Sequence, residues 1–201
     1  LSRPQLGENI GSAARALKNF NFHSLRLINP RCNWPNAKAL ATSVGAKNIL
    51  QSAKIYDTIN KSVGDLDIVF AATSRKRKVN KKIISILDFT KKIKKKNKIG
   101  IIFGPEASGL TNDELSCADY LVTIPTNKNF SSLNLSHSVI LFCYQLYKFF
   151  SNDKLDLKSR YKSTIASKSE VNKFLSFIIK GLDKKGFFVP TEKKHSMLLN
   201  I

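Results

Sequence analysis

Three nearly continuous apolar runs constrain this chain most: "LDIVFAATS" (66–74), "NKIGIIFG" (97–104) and "DYLVTIP" (119–125). A strand with one face in water alternates apolar and polar residues, whereas an unbroken run is covered on both faces, as in a parallel sheet between helices. The intervening segments carry helical patterning. "NIGSAARALKNFNF" (9–22) spaces Ile10, Ala13, Ala14, Leu17 and Phe20 as one helical face, and "HSLRLINP" (23–30) reads as a strand halted by Pro30. "NAKALATSV" (36–44) is a second helix, and "AKIYDTI" (53–59) is a strand running into a third. Thr111 and Glu114 in "TNDELSCA" have capping-box spacing. Strands alternating with helices predict an α/β protein with one parallel sheet of five or six strands.

From Ser131 to Phe150 the pattern changes. Leu135, Val139, Phe142, Leu146 and Phe149 form one helical face, and Leu133, Ile140, Tyr144 and Tyr147 form another. A helix apolar on most sides is buried on most sides, and in a chain of 201 residues a second subunit is the expected cover. The expected organisation is therefore a domain over 1–150, a basic linker over 151–167 and a helical extension over 168–201. The extension carries Val171, Phe174, Leu175, Ile178 and Leu182 on one stripe, and is expected to continue past Ile201. "LSR" is too short for the strand expected before the first helix.

No run approaches the ~18 apolar residues that span a bilayer, and the start has no apolar leader-like segment. Three cysteines, odd in number and in no C-x-x-C pair, and three scattered histidines predict no metal site and a reducing, cytoplasmic setting. Thirty-four Lys and Arg against 14 Asp and Glu give a formal charge of +20. Such a field attracts polyanions, although a Lys-, Asn- and Ile-rich chain also arises from drift in genomic base composition. "SRKRK" (74–78) adjoins the end of a predicted strand and reads as a phosphate contact. "KKIKKK" (91–96) is equally well a solvated helix face.

Open α/β sheets bind ligands at the carboxyl ends of their strands, and polar residues cluster at three such places. "ENIGSAAR" (8–15) has Asn9 as the expected helix cap and Arg15 nearly two turns on. "FGPEASGL" (103–110) places Glu106 in a tight loop between Gly104 and Gly109. "IPTNKNFSSLNLS" (124–136) supplies Ser131, Ser132 and Asn134, more small polar residues than one helix cap needs. Each alone is weak, since most such loops are turns and most such Asn residues are caps.

In this order the three resemble the motifs of the SpoU (TrmH-like) RNA ribose 2′-O-methyltransferases of the SPOUT superfamily, over roughly residues 3–150. The pattern reads N-x-G-x-x-x-R, then F-G-x-E-x-x-G-L, then I-P-x-x-x-x-x-S-S-L-N-L-S. The tail from Lys168 is similar to the carboxyl extension of the TrmJ-type tRNA methyltransferases, which modify the ribose at position 32 of the anticodon loop. Pro105 and Ala107 depart from that group, whose members often carry Arg in this loop.

The resemblance implies a SPOUT-type parallel sheet whose carboxyl part is threaded as a deep trefoil knot, although knots are nearly absent from proteins at large. It also implies a homodimer acting on tRNA, with no DNA or membrane partner, and S-adenosylmethionine as cofactor; the lack of G-x-G-x-x-G after a strand agrees. The implied cofactor residues are Thr73, Ser74, Arg75, Gly104, Ile124, Ser131, Ser132 and Leu133. Arg15, Asn9, Glu106, Ser132 and Asn134 are the implied catalytic set. Ser132 and Asn134 would face the ribose, Glu106 would position Asn9 or Arg15 or brace its loop, and Arg15 would handle the hydroxyl proton. A guanidinium stays protonated in proteins, so Arg15 acts either with a substrate phosphate or by orienting the hydroxyl. Two rival readings stand beside this one: a ribosomal RNA ribose methyltransferase, and a non-catalytic RNA-binding protein of the same fold.

Overall fold

The computed structural model describes residues 1–75, 79–151 and 166–198. Most of the expected linker, part of the 74–78 basic run and the last three residues lie outside the described residues. The chain divides into two compact units, Leu1–Lys154 and Leu155–Ile201.

In the first unit, helix α1 (Gly7–Asn19) leads to strand β1 (Arg26–Ile28), helices α2 (Ala37–Thr42) and α3 (Lys47–Gln51), strand β2 (Lys54–Tyr56) and helix α4 (Ile59–Val63). Strands β3 (Ile68–Ala72), β4 (Lys82–Ser85) and β5 (Ile99–Ile102) follow, then helix α5 (Asn112–Ser116), strand β6 (Tyr120–Thr123) and the long helix α6 (Leu135–Phe150). Every paired strand is parallel, in the order β4-β6-β3-β5 with a separate β1-β2 pair.

The single sheet expected from sequence is therefore two ladders. Only residues 1–3 run between them: Ser2 N–H donates to the Phe103 carbonyl at 2.8 Å, and Arg3 N–H donates to Ile28 at 2.8 Å. A three-residue segment supplies one bridge, which is too little to fuse the ladders.

The unbroken apolar runs are explained by burial on both faces of the larger sheet. Phe70 of β3 and Val122 of β6 pack with Phe89, Phe103 and Phe142 beneath α1 and α6. Their neighbours Val69, Ala71 and Leu121 pack on the opposite side with Leu110 and Leu115 of the α5 region. Phe142 meets Phe89 at 5.3 Å and Phe103 at 5.2 Å, both edge to face. Burying each such ring contributes about 1.5–3 kcal/mol, so α6 is held down by its Leu135, Val139, Phe142 and Cys143 face.

Strand β4 and helix α3 escape sequence reading. β4 is an edge strand with Lys82 and Ile83 in solvent, so its "KIIS" lacks the signature of a covered strand. The Thr111–Glu114 capping box is present as spaced, and Asn36 caps α2 by accepting from Lys38 and Ala39 N–H at 3.0 and 3.1 Å. Asn9 does not cap α1. The helix starts at Gly7, so Asn9 is buried within its first turn, and the Glu106 carboxylate accepts from the Gln5 and Leu6 N–H groups instead.

The second unit holds helix α7 (Lys168–Lys184), opened by a Ser167–Glu170 capping box, and after it a short 3-10 turn and helix α8 (Lys194–Leu198). Lys194 pairs with Asp183 at 2.6 Å and lies over the Phe188 ring. Among the described residues no helix is long and apolar enough to cross a membrane, and no group of three or more His, Cys, Asp or Glu could hold a metal ion.

Candidate active site

β3 lies between β5 and β6, so the segments leaving their carboxyl ends converge. They form a cleft whose walls are Ala72–Arg75, Phe103–Glu106 with Gly109 and Leu110, Val122 with Ile124, and the 131–133 stretch before α6. Every residue that the resemblance implies for the cofactor, from Thr73 to Leu133, lines this one cleft, as does Glu106.

The loop from β5 explains its glycines. A methyl group on Gly104 would lie 2.5 Å from the Gly109 carbonyl carbon and closer still to the Leu110 nitrogen, because the loop folds back on itself there. Gly109 has φ +68°, in the left-handed region that side chains disfavour, and its N–H closes the turn onto the Pro105 carbonyl at 2.9 Å.

A chain of side-chain amides joins this loop to the two helices. Asn9 Nδ2 donates to Glu106 Oε1 at 2.8 Å, and Asn134 Nδ2 donates to Asn9 Oδ1 at 3.0 Å. Asn134 Oδ1 caps α6, accepting from Ser136 N–H at 2.8 Å, Ser136 Oγ at 2.7 Å and His137 N–H at 3.4 Å. An ionised carboxylate can only accept, so Glu106 sets which way the Asn9 amide points, and Asn9 in turn sets Asn134. One amide hydrogen of Asn134 is then left for a ligand. Glu106 thus meets Asn9 and not Arg15.

Arg15 stands apart. It is exposed on α1, six residues past Asn9 and about 9 Å farther along the axis. Its side chain lines no part of the cleft and makes no hydrogen bond or ion pair among the described residues. Within one chain, then, the fold gathers Asn9, Glu106, Ser132 and Asn134 but leaves Arg15 outside.

Sequence reading missed the apolar floor of the cleft, Phe103, Leu110, Val122 and Leu135. These residues are core and lining at once, and only the core role is visible in a periodicity. No cysteine lines the cleft; burial pushes Cys143 up to about 12, and burial also raises Cys32.

Parallel strands feeding a cleft of hydroxyls, backbone groups and apolar walls agree with the SpoU-type methylase that the motifs resemble. The family model described as the SpoU rRNA Methylase family matches residues 1–144, and the chain belongs to that family. It is similar to the tRNA (cytidine-2'-O-)-methyltransferase TrmJ of Methanocaldococcus jannaschii, at 36% identity over 90% of this chain and 80% of that protein. The tRNA (cytidine/uridine/adenosine-2'-O-)-methyltransferase TrmJ of Pseudomonas aeruginosa is 27% identical, over 94% of this chain and 78% of its own length. The crystal structure of TrmJ from Z. mobilis ZM4 superposes with TM-score 0.70 at 36% identity, covering 99% of this chain and 85% of that one.

Proposed function

We propose that this protein transfers a methyl group from S-adenosylmethionine to a tRNA ribose 2′-hydroxyl, at position 32 of the anticodon loop. The observation that carries the reading is the convergence of the second and third motif loops on one cleft, with Asn9 of the first motif tied to them through Glu106 and Asn134, in a chain so similar to TrmJ proteins from two organisms.

The cleft fits the cofactor by its chemistry. Leu110, Ile124 and Leu133 offer apolar surface for a nucleobase, while the hydroxyls of Thr73, Ser74 and Ser131 and the loop backbone offer hydrogen bonds to ribose and amino-acid groups. Bound there, S-adenosylmethionine would supply an electrophilic methyl group on sulfonium sulfur, to be taken up by the ribose oxygen with the thioether as leaving group. The protein's part is largely to hold the hydroxyl in line, which removes much of the barrier. Ser132 and the remaining Asn134 hydrogen face the hydroxyl, held by Asn9 and Glu106. Arg15 orients it and stabilises its developing negative charge while staying protonated, and the hydroxyl proton passes to a substrate phosphate.

Since Arg15 lies outside its own chain's cleft, it acts from a second subunit. The reading includes a homodimer built on α6, supported by the exposed Ile140, Leu141, Tyr144 and Tyr147 and by Phe20 of the α1 end packed against both tyrosines. It also includes the trefoil knot in the carboxyl part of the 1–150 domain, an RNA-binding role for 168–201 and a cytoplasmic location with the substrate. A stable monomer in light scattering at micromolar concentration would sink the dimer.

Mass spectrometry of RNA from a deletion strain tests the function. Loss of a 2′-O-methyl nucleotide from tRNA supports it. Loss from ribosomal RNA instead supports the ribosomal RNA reading, and an unchanged profile defeats both.

A further inference from the structure

Phe130 is the most exposed large apolar side chain of the first unit, with 79% of its surface in solvent. Its ring contacts no other aromatic ring among the described residues. Yet its backbone is well fixed. Phe130 N–H donates to the Asn127 carbonyl at 3.0 Å in a tight turn, Asn129 N–H donates to Asn127 Oδ1 at 2.9 Å, and Thr126 Oγ1 donates to the Ser131 carbonyl at 3.3 Å. A bare aromatic ring held on a braced turn beside a binding cleft is a platform for something flat.

Chemistry and spacing point to the occupant. Ser131 and Ser132, the next residues, line the cleft, and two residues span at most about 7 Å. That is the reach from a ribose hydroxyl to the far edge of the base on the same sugar. Lys128 on the same turn and Arg75 on the facing rim are exposed cations without ion-pair partners among the described residues, placed to meet the flanking phosphates.

We propose that Phe130 stacks on the unpaired nucleobase of the nucleotide being methylated, so that the turn over 126–131 holds the base while Ser132 holds the sugar. The inference rests on the ribose-methylation reading above. A phenyl ring has no hydrogen-bonding group, so it contributes affinity and orientation and leaves the choice between bases to other residues.

The test uses the full chain with tRNA carrying pyrrolocytidine, whose fluorescence falls on stacking, at the methylated position. Wild-type protein and Phe130→Tyr should quench the probe on binding; Phe130→Leu, equally apolar but without a ring, should not. Phe130→Leu and Phe130→Ala should raise KM for tRNA by roughly 10–100-fold, the range for losing one stacked base, with S-adenosylmethionine affinity by calorimetry unchanged. Normal quenching and KM in Phe130→Leu overturn the proposal. Weakened cofactor binding would make the ring a cofactor cover, and a changed mass in light scattering would make it a subunit contact; either result overturns it too. Wild-type protein that binds no cofactor and methylates no RNA defeats the functional reading itself, and the stacking role falls with it.

Discussion

Asn134 and Asn9, 125 positions apart in sequence, share a 3.0 Å hydrogen bond that joins the mouth of α6 to the first turn of α1. Glu106 completes the relay from the β5 loop at 2.8 Å. Three motifs far apart in the chain are thus one mechanical unit.

Asn9 is buried, and losing its side chain removes one hydrogen bond from Glu106 and one from Asn134. Asn134 is exposed and half-buried Glu106 keeps the Gln5 and Leu6 N–H groups, so water can partly replace the lost partner and each bond is worth about 0.5–1.5 kcal/mol. Asn9→Ala should therefore lower the urea midpoint, and a double-mutant cycle with Asn134→Ala should return a coupling of about 1 kcal/mol. Asn9→Asp should be worse, because it sets a second carboxylate against Glu106. Additive effects in the cycle would show that the bond transmits nothing.

Gly104→Ala places a methyl group against the Gly109 and Leu110 backbone. The loop must open, at a cost of about 1–3 kcal/mol, and the cleft opens with it. Calorimetry should show S-adenosylmethionine affinity reduced by about tenfold or more, and unchanged affinity would mean that the loop does not shape the site.

Arg15→Ala should leave cofactor binding intact and lower turnover by ~10²–10⁴, and Arg15→Lys should restore little, since an ammonium lacks the planar fork. Mixing Arg15→Ala with Asn134→Ala subunits should regain activity in the mixed dimers, each of which keeps one complete site. Dead mixtures would return Arg15 to its own subunit's cleft.

Glu114 links the amino-terminal segment to α5. Burial raises its pKa, but hydrogen bonds from Ser2 Oγ, the Thr111 N–H and Arg3 outweigh that and hold the carboxyl below its usual range. The folded state therefore binds this proton less readily than the unfolded chain. The stability it contributes is complete above the ordinary carboxylate range and is lost as pH falls through and below it. Glu114→Gln should be less stable than wild type at pH 7, with the gap closing as the medium is acidified toward pH 3. A gap independent of pH would assign the loss to packing.

Deleting 168–201 should weaken tRNA binding and flatten its dependence on salt, since the segment is rich in lysine and lies beyond every cleft residue. Cofactor affinity should hold. Its loss would mean that the tail supports the cleft.

What the sequence determined by itself is local or periodic. Doubly covered strands show as unbroken apolar runs, the α5 cap shows as Thr111 and Glu114 three apart, and the loops of the cleft show in motifs whose order matches a known family. These signals survive in one dimension because backbone geometry ties them to fixed spacings. Tertiary structure decided the rest. Asn9 looked like a cap because caps and buried first-turn amides use the same residue, and only the arrival of Glu106 from 97 positions away tells them apart. β4 stayed hidden because an edge strand has no burial pattern to display, and the break between the ladders depends on how few residues bridge them. Arg15 lies in the first motif yet outside the cleft, because a helix of fixed rise carries it away from Asn9 whatever its motif suggests. Contacts between distant segments have no period, so no spacing in the chain announces them.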